Sequence, residues 1–372
     1  MVRTSYGAYS SFKIIHHQDR LEDFRQGRQP VPLQVEFVIS DICNQNCSFC
    51  AYRMDGYTSN ILFGKPDLIT GISNNNPNRK IPFEKCSEIL SDLQEMGVKA
   101  VQFTGGGEPT SHPQHIEIFR KTLDLGLDFA LISNGTIVKD ALPELLSHGK
   151  WVRFSIDAGN TTTYSRIREV PSGTFDKVLA NVRKVVDARM KNRDSGLIIG
   201  TGFIVTKDNY KEIYEATKIY KDLGVDNIRI GAAFTSDNYA YHQDHYEEAR
   251  ELASRAKEDF HSNDFSVFNQ FGDRIQDLLD RRIEDDFCGY MYLNAYIGAD
   301  LNIYTCCNNA YSPDGKMGSI DGRRLKDFWF SPEKQQIYAN FKATRCARCM
   351  FIEKNRLIAY ALNKNPIHVN YI

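Results

Sequence analysis

The chain has 372 residues, 42% of them hydrophobic, enough for one large domain with a sizeable core and a smaller one beside it. With 46 Lys and Arg against 47 Asp and Glu, the net charge of −1 gives no electrostatic case for nucleic acid or an anionic membrane surface. No apolar run approaches the ~20 residues that span a bilayer, and Met1 to Ser11 lack a signal-peptide core. Nine cysteines is an odd count, and seven stand in close groups, which favours metal over disulfides and a cytoplasmic setting.

In chain order, residues 1–30 form a short N-terminal extension that does not read as a winged-helix module. The alternating stretch 32–40 then reads as a strand. The loop Cys43-Asn-Gln-Asn-Cys47-Ser-Phe-Cys50 follows it directly. Three thiolates this close hold three corners of a [4Fe–4S] cube and leave the fourth iron open. Zinc is the competing reading, but zinc sites favour paired C-x2-C or Cys/His knuckles. Residues 51–81 are rich in Gly, Asn and Pro and read either as a flap over the site or as a surface excursion.

Further strands are expected at 99–104, 128–134, 151–157, 197–206 and 226–234, with helical patterns at 82–96, 114–125, 140–147, 174–191 and 209–223. Glycines at 97, 126 and 224 close three of these helices. Six β/α units in series imply a parallel sheet, open or closed into a complete or partial barrel. Cys86 falls in the first of these helical patterns and reads as a small buried apolar residue. The second strand ends in Thr104-Gly-Gly-Gly-Glu-Pro109, where glycines permit close backbone approach to a ligand. In the fourth strand Val152, Phe154 and Ile156 alternate with Arg153, Ser155 and Asp157, so one face is polar inside the barrel. Helical patterns resume near 246–260 and 273–285, and then Cys288, Cys306, Cys307, Cys346 and Cys349 follow.

The C-x3-C-x2-C loop with Phe49 before its last Cys resembles the radical S-adenosylmethionine (SAM) superfamily. That resemblance implies a partial (β/α)6 TIM-type barrel over 31–240, with its chemistry at the C-terminal ends of the strands. It implies a SAM-binding [4Fe–4S] cluster on Cys43, Cys47 and Cys50, and reductive SAM cleavage to a 5′-deoxyadenosyl radical. Gly106, Gly107 and Glu108 match the motif that binds the SAM amino group. Ser133 and Asn134 fall where the family contacts ribose, or form a plain Asn-Gly turn. Ser155, Asp157 and Arg168 match a segment in which the Ser contacts SAM and the Arg reaches its carboxylate.

The later cysteines resemble the C-terminal extension called SPASM, or twitch in its short form: a β-hairpin plus helix over 286–372, joined by a helical connection over 241–285. Cys288, Cys306, Cys346 and Cys349 would ligate one auxiliary [4Fe–4S] cluster, with Cys307 as the alternative to Cys306 and a four-cysteine zinc knuckle as the competing site. Leu301 stands where the family has Gly, which puts the hairpin geometry in question. The implied activity is oxidation of a small alcohol, sugar or cyclitol-like molecule, with the auxiliary cluster as electron acceptor and flavodoxin or ferredoxin as reductant. Modification of a ribosomally made peptide, by crosslinking or epimerisation, is the alternative, as is a redox-neutral isomerase. A metal-binding scaffold without SAM chemistry is opposed by the intact glycine turn and loop cysteines. The polar segment 235–245 offers Asp237 and His242 as candidates for substrate contact or proton transfer, against a solvated loop.

Overall fold

The computed structural model describes residues 9–52, 79–139, 141–235, 238–280, 283, 285–346, 349–368 and 370. The flap expectation for 51–81 therefore lies almost wholly outside the described residues, and Asp237 lies outside them altogether.

A short helix α1 (Gln18–Arg25) precedes β1 (Gln34–Phe37). Alternating units follow: α2 (Phe83–Met96), β2 (Ala100–Phe103), α3 (His115–Asp124), β3 (Asp128–Ser133), α4 (Ala141–Ser147) and β4 (Trp151–Ser155). Next come α5 (Thr161–Arg168), α6 (Thr174–Lys191), β5 (Ile198–Val205), α7 (Ile213–Asp222) and β6 (Asn227–Ala232). These strands lie side by side in chain order and pair in parallel, β1 on β2 through to β5 on β6. The architecture is the partial TIM-type barrel that the family resemblance implied. Outward positions such as Val35, Phe37, Val101, Val152 and Ile228 are fully or almost fully buried under the helices and build the core. Gly97 and Gly224 close α2 and α7 in the left-handed conformation, as their positions after the helical patterns suggest.

Two features exceed the sequence reading. After α8 (Tyr246–Phe260), a seventh strand β7 (Ser266–Asn269) pairs in parallel with β6. It is only four residues long and carries no clear alternation. After α9 (Phe271–Asp280) and the one-turn helix α10 (Tyr290–Leu293), β8 (Asn294–Ile297) pairs in parallel with β1. The C-terminal region thus extends the barrel's own sheet, through β9 (Asn302–Tyr304) and β10 (Lys316–Ser319), both antiparallel. Helices α11 (Leu325–Trp329), α12 (Pro332–Asn340) and α13 (Ile352–Leu362) complete the described chain.

The β8–β9 hairpin forms despite Leu301. Leu301 N–H donates to the Gly298 carbonyl and Gly298 N–H to that of Asn302, which closes a three-residue loop. Such a loop needs a left-handed residue at its last position, and Leu301 adopts φ +58°. A glycine suits that position because the conformation costs an L-residue about 1–2 kcal/mol. Leu301 offsets part of this by packing on the core.

Candidate radical SAM site

The three-cysteine loop leaves the end of β1 and is held from two sides. On one side Gly107 N–H donates to the Ser40 carbonyl at 3.2 Å and Glu108 N–H to Ile42 at 2.8 Å. A Cβ at Gly107 would lie 2.2 Å from the Ile42 oxygen, so only glycine lets the two backbones meet. On the other side Asn46 N–H donates to the Arg168 carbonyl and Ser48 N–H to Ile167, docking the loop on the end of α5. None of the nine cysteines is in a disulfide, and Cys43, Cys47 and Cys50 are each half-buried.

Glu108 is buried, and its carboxylate is crowded with donors. It accepts from Thr110 N–H, the Thr110 and Ser133 hydroxyls, and Asn134 N–H, at 2.7–3.0 Å. Burial pushes its pKa up, and these donors oppose the shift. Glu108 thereby ties the glycine turn to the end of β3. Asn134 continues the lacing, since its side-chain amide donates to Asn44 Oδ1 in the cysteine loop at 2.8 Å. Ser133 and Asn134 are therefore brought to the loop, with their side chains used in holding the ends of β2 and β3 together.

Arg168 sits at the centre of the other flank. Its guanidinium is buried and donates to the Ser155 carbonyl at 2.8 Å, to Gln45 Oε1 at 3.1 Å and to Cys47 Sγ at 3.2 Å. It pairs with buried Asp157 and lies 5.3 Å from the Phe49 ring centroid. Burial works against the charge, but Cys47 and Asp157 outweigh it and hold the arginine protonated. For Asp157 burial dominates and raises its pKa despite the arginine. Asp157 itself adopts φ +61°, with its side chain accepting from Ile204 N–H at 2.6 Å. The Arg168 Nε is buried with no hydrogen-bond partner. The sequence motif identified Arg168, but not its contact with Cys47; nothing in the spacing signals it.

His242 is no part of a solvated loop. It is fully buried, with Nε2 at 2.8 Å from the Ala233 carbonyl and Nδ1 at 3.1 Å from His245 Nε2. Burial lowers its pKa to about 4, so the ring is neutral with both nitrogens engaged.

In the C-terminal region Cys288, Cys306, Cys346 and Cys349 line one cavity of about 70 Å3, together with Asn309, Phe341 and Phe351. Cys307 turns away from it, towards the carboxyl of Glu36 on β1. Adjacent residues thus face different spaces. Burial raises the pKa of Cys288, Cys346 and Cys349 to about 11 each. A cationic metal centre bound there would offset this burial and take the thiols as thiolates. Among the described residues no three His, Cys, Asp or Glu side chains converge on a single metal ion.

Barrel, cysteine loop and glycine turn together define the radical SAM class. Residues 37–217 match the family model described as Radical SAM superfamily. Residues 37–217 thus form a radical SAM domain, of a family whose members use a [4Fe–4S] cluster and SAM. The chain is similar to an S-adenosylmethionine-dependent nucleotide dehydratase of Flammeovirga pacifica, 30% identical over 37% of this chain and 42% of that one. It is also similar to a tungsten-containing aldehyde ferredoxin oxidoreductase cofactor-modifying protein of Pyrococcus furiosus, 32% identical over 38% and 40%. The chain spans less than half the length of these curated relatives. In fold it resembles SuiB of Streptococcus suis, solved with precursor peptide SuiA. The TM-score is 0.60 at 14% identity, over 88% of this chain and 71% of that one. No described helix is long and apolar enough to cross a membrane.

Proposed function

We propose that the chain is a radical SAM oxidoreductase acting on a small molecule, with an auxiliary cluster on Cys288, Cys306, Cys346 and Cys349 as electron acceptor. The observation that carries this reading is the gathering of those four thiols around one cavity while Cys307 faces elsewhere. Four thiolates saturate a cube, leaving no iron for substrate. When bound, the cluster on Cys43, Cys47 and Cys50 together with SAM supplies hydrogen-atom abstraction.

The protein's own groups do the positioning. The glycine turn, fixed by Glu108 against β3, offers its backbone to the SAM amino group. Arg168 holds Cys47 and, through its remaining N–H, faces the place of the SAM carboxylate. Phe49 covers the guanidinium and limits water there. Loss of a hydrogen atom followed by a proton and an electron gives a two-electron oxidation, and the four-cysteine site is the place for that electron. A flavodoxin or ferredoxin would be the reductant for the first site. The name of the Flammeovirga relative, a nucleotide dehydratase, accords with a small substrate. The SuiB likeness is one of fold alone.

The test is anaerobic turnover of wild type and a Cys346→Ala/Cys349→Ala variant with candidate substrates, tracking deuterium into 5′-deoxyadenosine. The variant should still cleave SAM and should form no oxidised product. A redox-neutral product, or zinc at the four-cysteine site, would overturn the electron-acceptor role.

A further inference from the structure

The inward positions of the barrel strands carry more positive charge than the SAM site uses. On β4 the alternation that buries Val152 and Phe154 under helices turns Arg153 into the lumen. On β6 the same alternation buries Ile228 and Ile230 and turns Arg229 inwards. Between them β5 presents Gly200 and Gly202 at its inward positions, in register with Arg153 and Arg229. A Cβ at Gly202 would lie 3.8 Å from the Arg153 side chain, and one at Gly200 would lie 2.5 Å from Asn227 Oδ1. The glycines thus leave β5 bare and make room for long side chains from both neighbours.

Neither arginine forms an ion pair with a described residue, although buried or half-buried arginines elsewhere do, as Arg168 does with Asp157 and Arg274 with Asp277. What they share is Tyr9, from the N-terminal segment. Arg153 donates to its hydroxyl, and the Arg229 guanidinium lies 5.6 Å from its ring centroid. Burial pushes the Tyr9 hydroxyl up, and the two arginines outweigh it and bring it down. Burial, then repulsion from Arg153, lowers Arg229 to about 9, and no carboxylate stands among the groups that act most strongly on it. Glu36 and Asp157 feel Arg153 electrostatically but pair with neither arginine, and two gathered guanidiniums with no carboxylate in direct contact are costly unless an anion joins them. Arginine's planar fork matches the paired oxygens of phosphate and carboxylate.

We propose that the lumen between β4 and β6 is an anion subsite, in which a phosphate or carboxylate of the substrate bridges Arg153 and Arg229 beside Tyr9. This rests on the reading above that the radical SAM site acts on a small molecule. It assigns the substrate an oxyanion at one end and leaves the other end to approach the cysteine loop at the strand C-termini.

The experiment is anaerobic calorimetry on the cluster-loaded protein with inorganic pyrophosphate and, separately, succinate at matched ionic strength. One of the two should bind, and which one tells phosphate from carboxylate. Arg153→Met and Arg229→Met should each weaken it about tenfold or more. Arg166→Met, at an exposed arginine paired with Asp208, should leave it unchanged. Without the anion, Arg229→Met should keep or raise the thermal midpoint, since it removes an uncompensated charge. A fall of several degrees would make Arg229 a structural group and overturn the subsite. Wild type that binds neither probe, or variants that bind as wild type does, would also overturn it. If such a protein still makes 5′-deoxyadenosine, the SAM reading survives. Arginine-dependent binding in a protein that does not cleave SAM would keep the subsite and sink the SAM reading instead.

Discussion

Gly107→Ala tests the seat of the SAM site with one methyl group. The added Cβ would lie 2.2 Å from the Ile42 oxygen, where ordinary contact begins near 3.4 Å, so the cysteine loop and the glycine turn must part by about 1.2 Å (3.4 less 2.2). That separation breaks or lengthens the bonds from Gly107 to Ser40 and from Glu108 to Ile42. Overpacking costs about 1–3 kcal/mol and each of the two lost hydrogen bonds about 1 kcal/mol, so stability should fall by about 3–5 kcal/mol. Ile42 precedes Cys43, so the shift also moves the first thiolate against the SAM seat. A displacement near 1 Å costs about a hundredfold in a positioned reaction. Denaturant unfolding, iron content, SAM calorimetry and 5′-deoxyadenosine formation would be measured together under anaerobic conditions. Gly196→Ala is the control, because nothing lies within 4 Å of a Cβ there. A Gly107→Ala enzyme with full iron, wild-type SAM affinity and wild-type cleavage would refute the seat described here.

Replacing Cys43, Cys47 and Cys50 together by Ala should abolish 5′-deoxyadenosine formation while roughly four of eight irons remain; continued formation would remove these residues from the site. Cys307→Ala should keep about eight irons and Cys306→Ala should lose roughly half, read by iron and sulfide analysis; the reverse result would exchange the two cysteines. His242 is held neutral with a folded pKa about 4 against 6.5 unfolded, so the unfolded chain takes up the proton first as pH falls. Stability from this ring is fully present above pH 6.5 and is lost between 6.5 and 4. The loss from pH 7 to 5.5 is about 1.2 kcal/mol, and His242→Gln should flatten the denaturation profile by that amount. An unchanged slope would assign the pH dependence to other groups.

The strands of the first six units, and their helices apart from α5, were legible within a few residues, because each strand buries one face and each helix an amphipathic stripe. β7 was missed because Ser266–Asn269 is a short strand at the sheet's end. β8 falls in the hairpin expected over 286–372, but its pairing with β1 was missed for a different reason. Its partner β1 lies some 260 residues away, and no local pattern reveals that Gln34 meets Asn294. The cysteine loop, glycine turn and Arg168 could be read from motifs, yet their couplings could not. The four donors on Glu108 and the contact of Arg168 with Cys47 arise from side chains that only the closed barrel brings together. Arg153 was visible as an inward polar residue, and Arg229 repeats its alternation on β6. The glycines of β5 that make room for such side chains gain meaning only from the register.

The parallel ladder between β1 and β8 makes the two halves of the chain inseparable. Gln34–Phe37 has β2 on one side and Asn294–Ile297 on the other, and the Tyr311 hydroxyl donates to Asp41 at 2.6 Å just before Cys43. A cut ahead of residue 286 would therefore strip a central strand of half its backbone partners and expose an aggregation-prone edge carrying Val35 and Phe37. The four-cysteine region thus shares one sheet with the barrel through the β1–β8 ladder. The spacing of the two cysteine centres is set by sheet geometry, so an electron passing between them would cross a fixed gap whatever the substrate does.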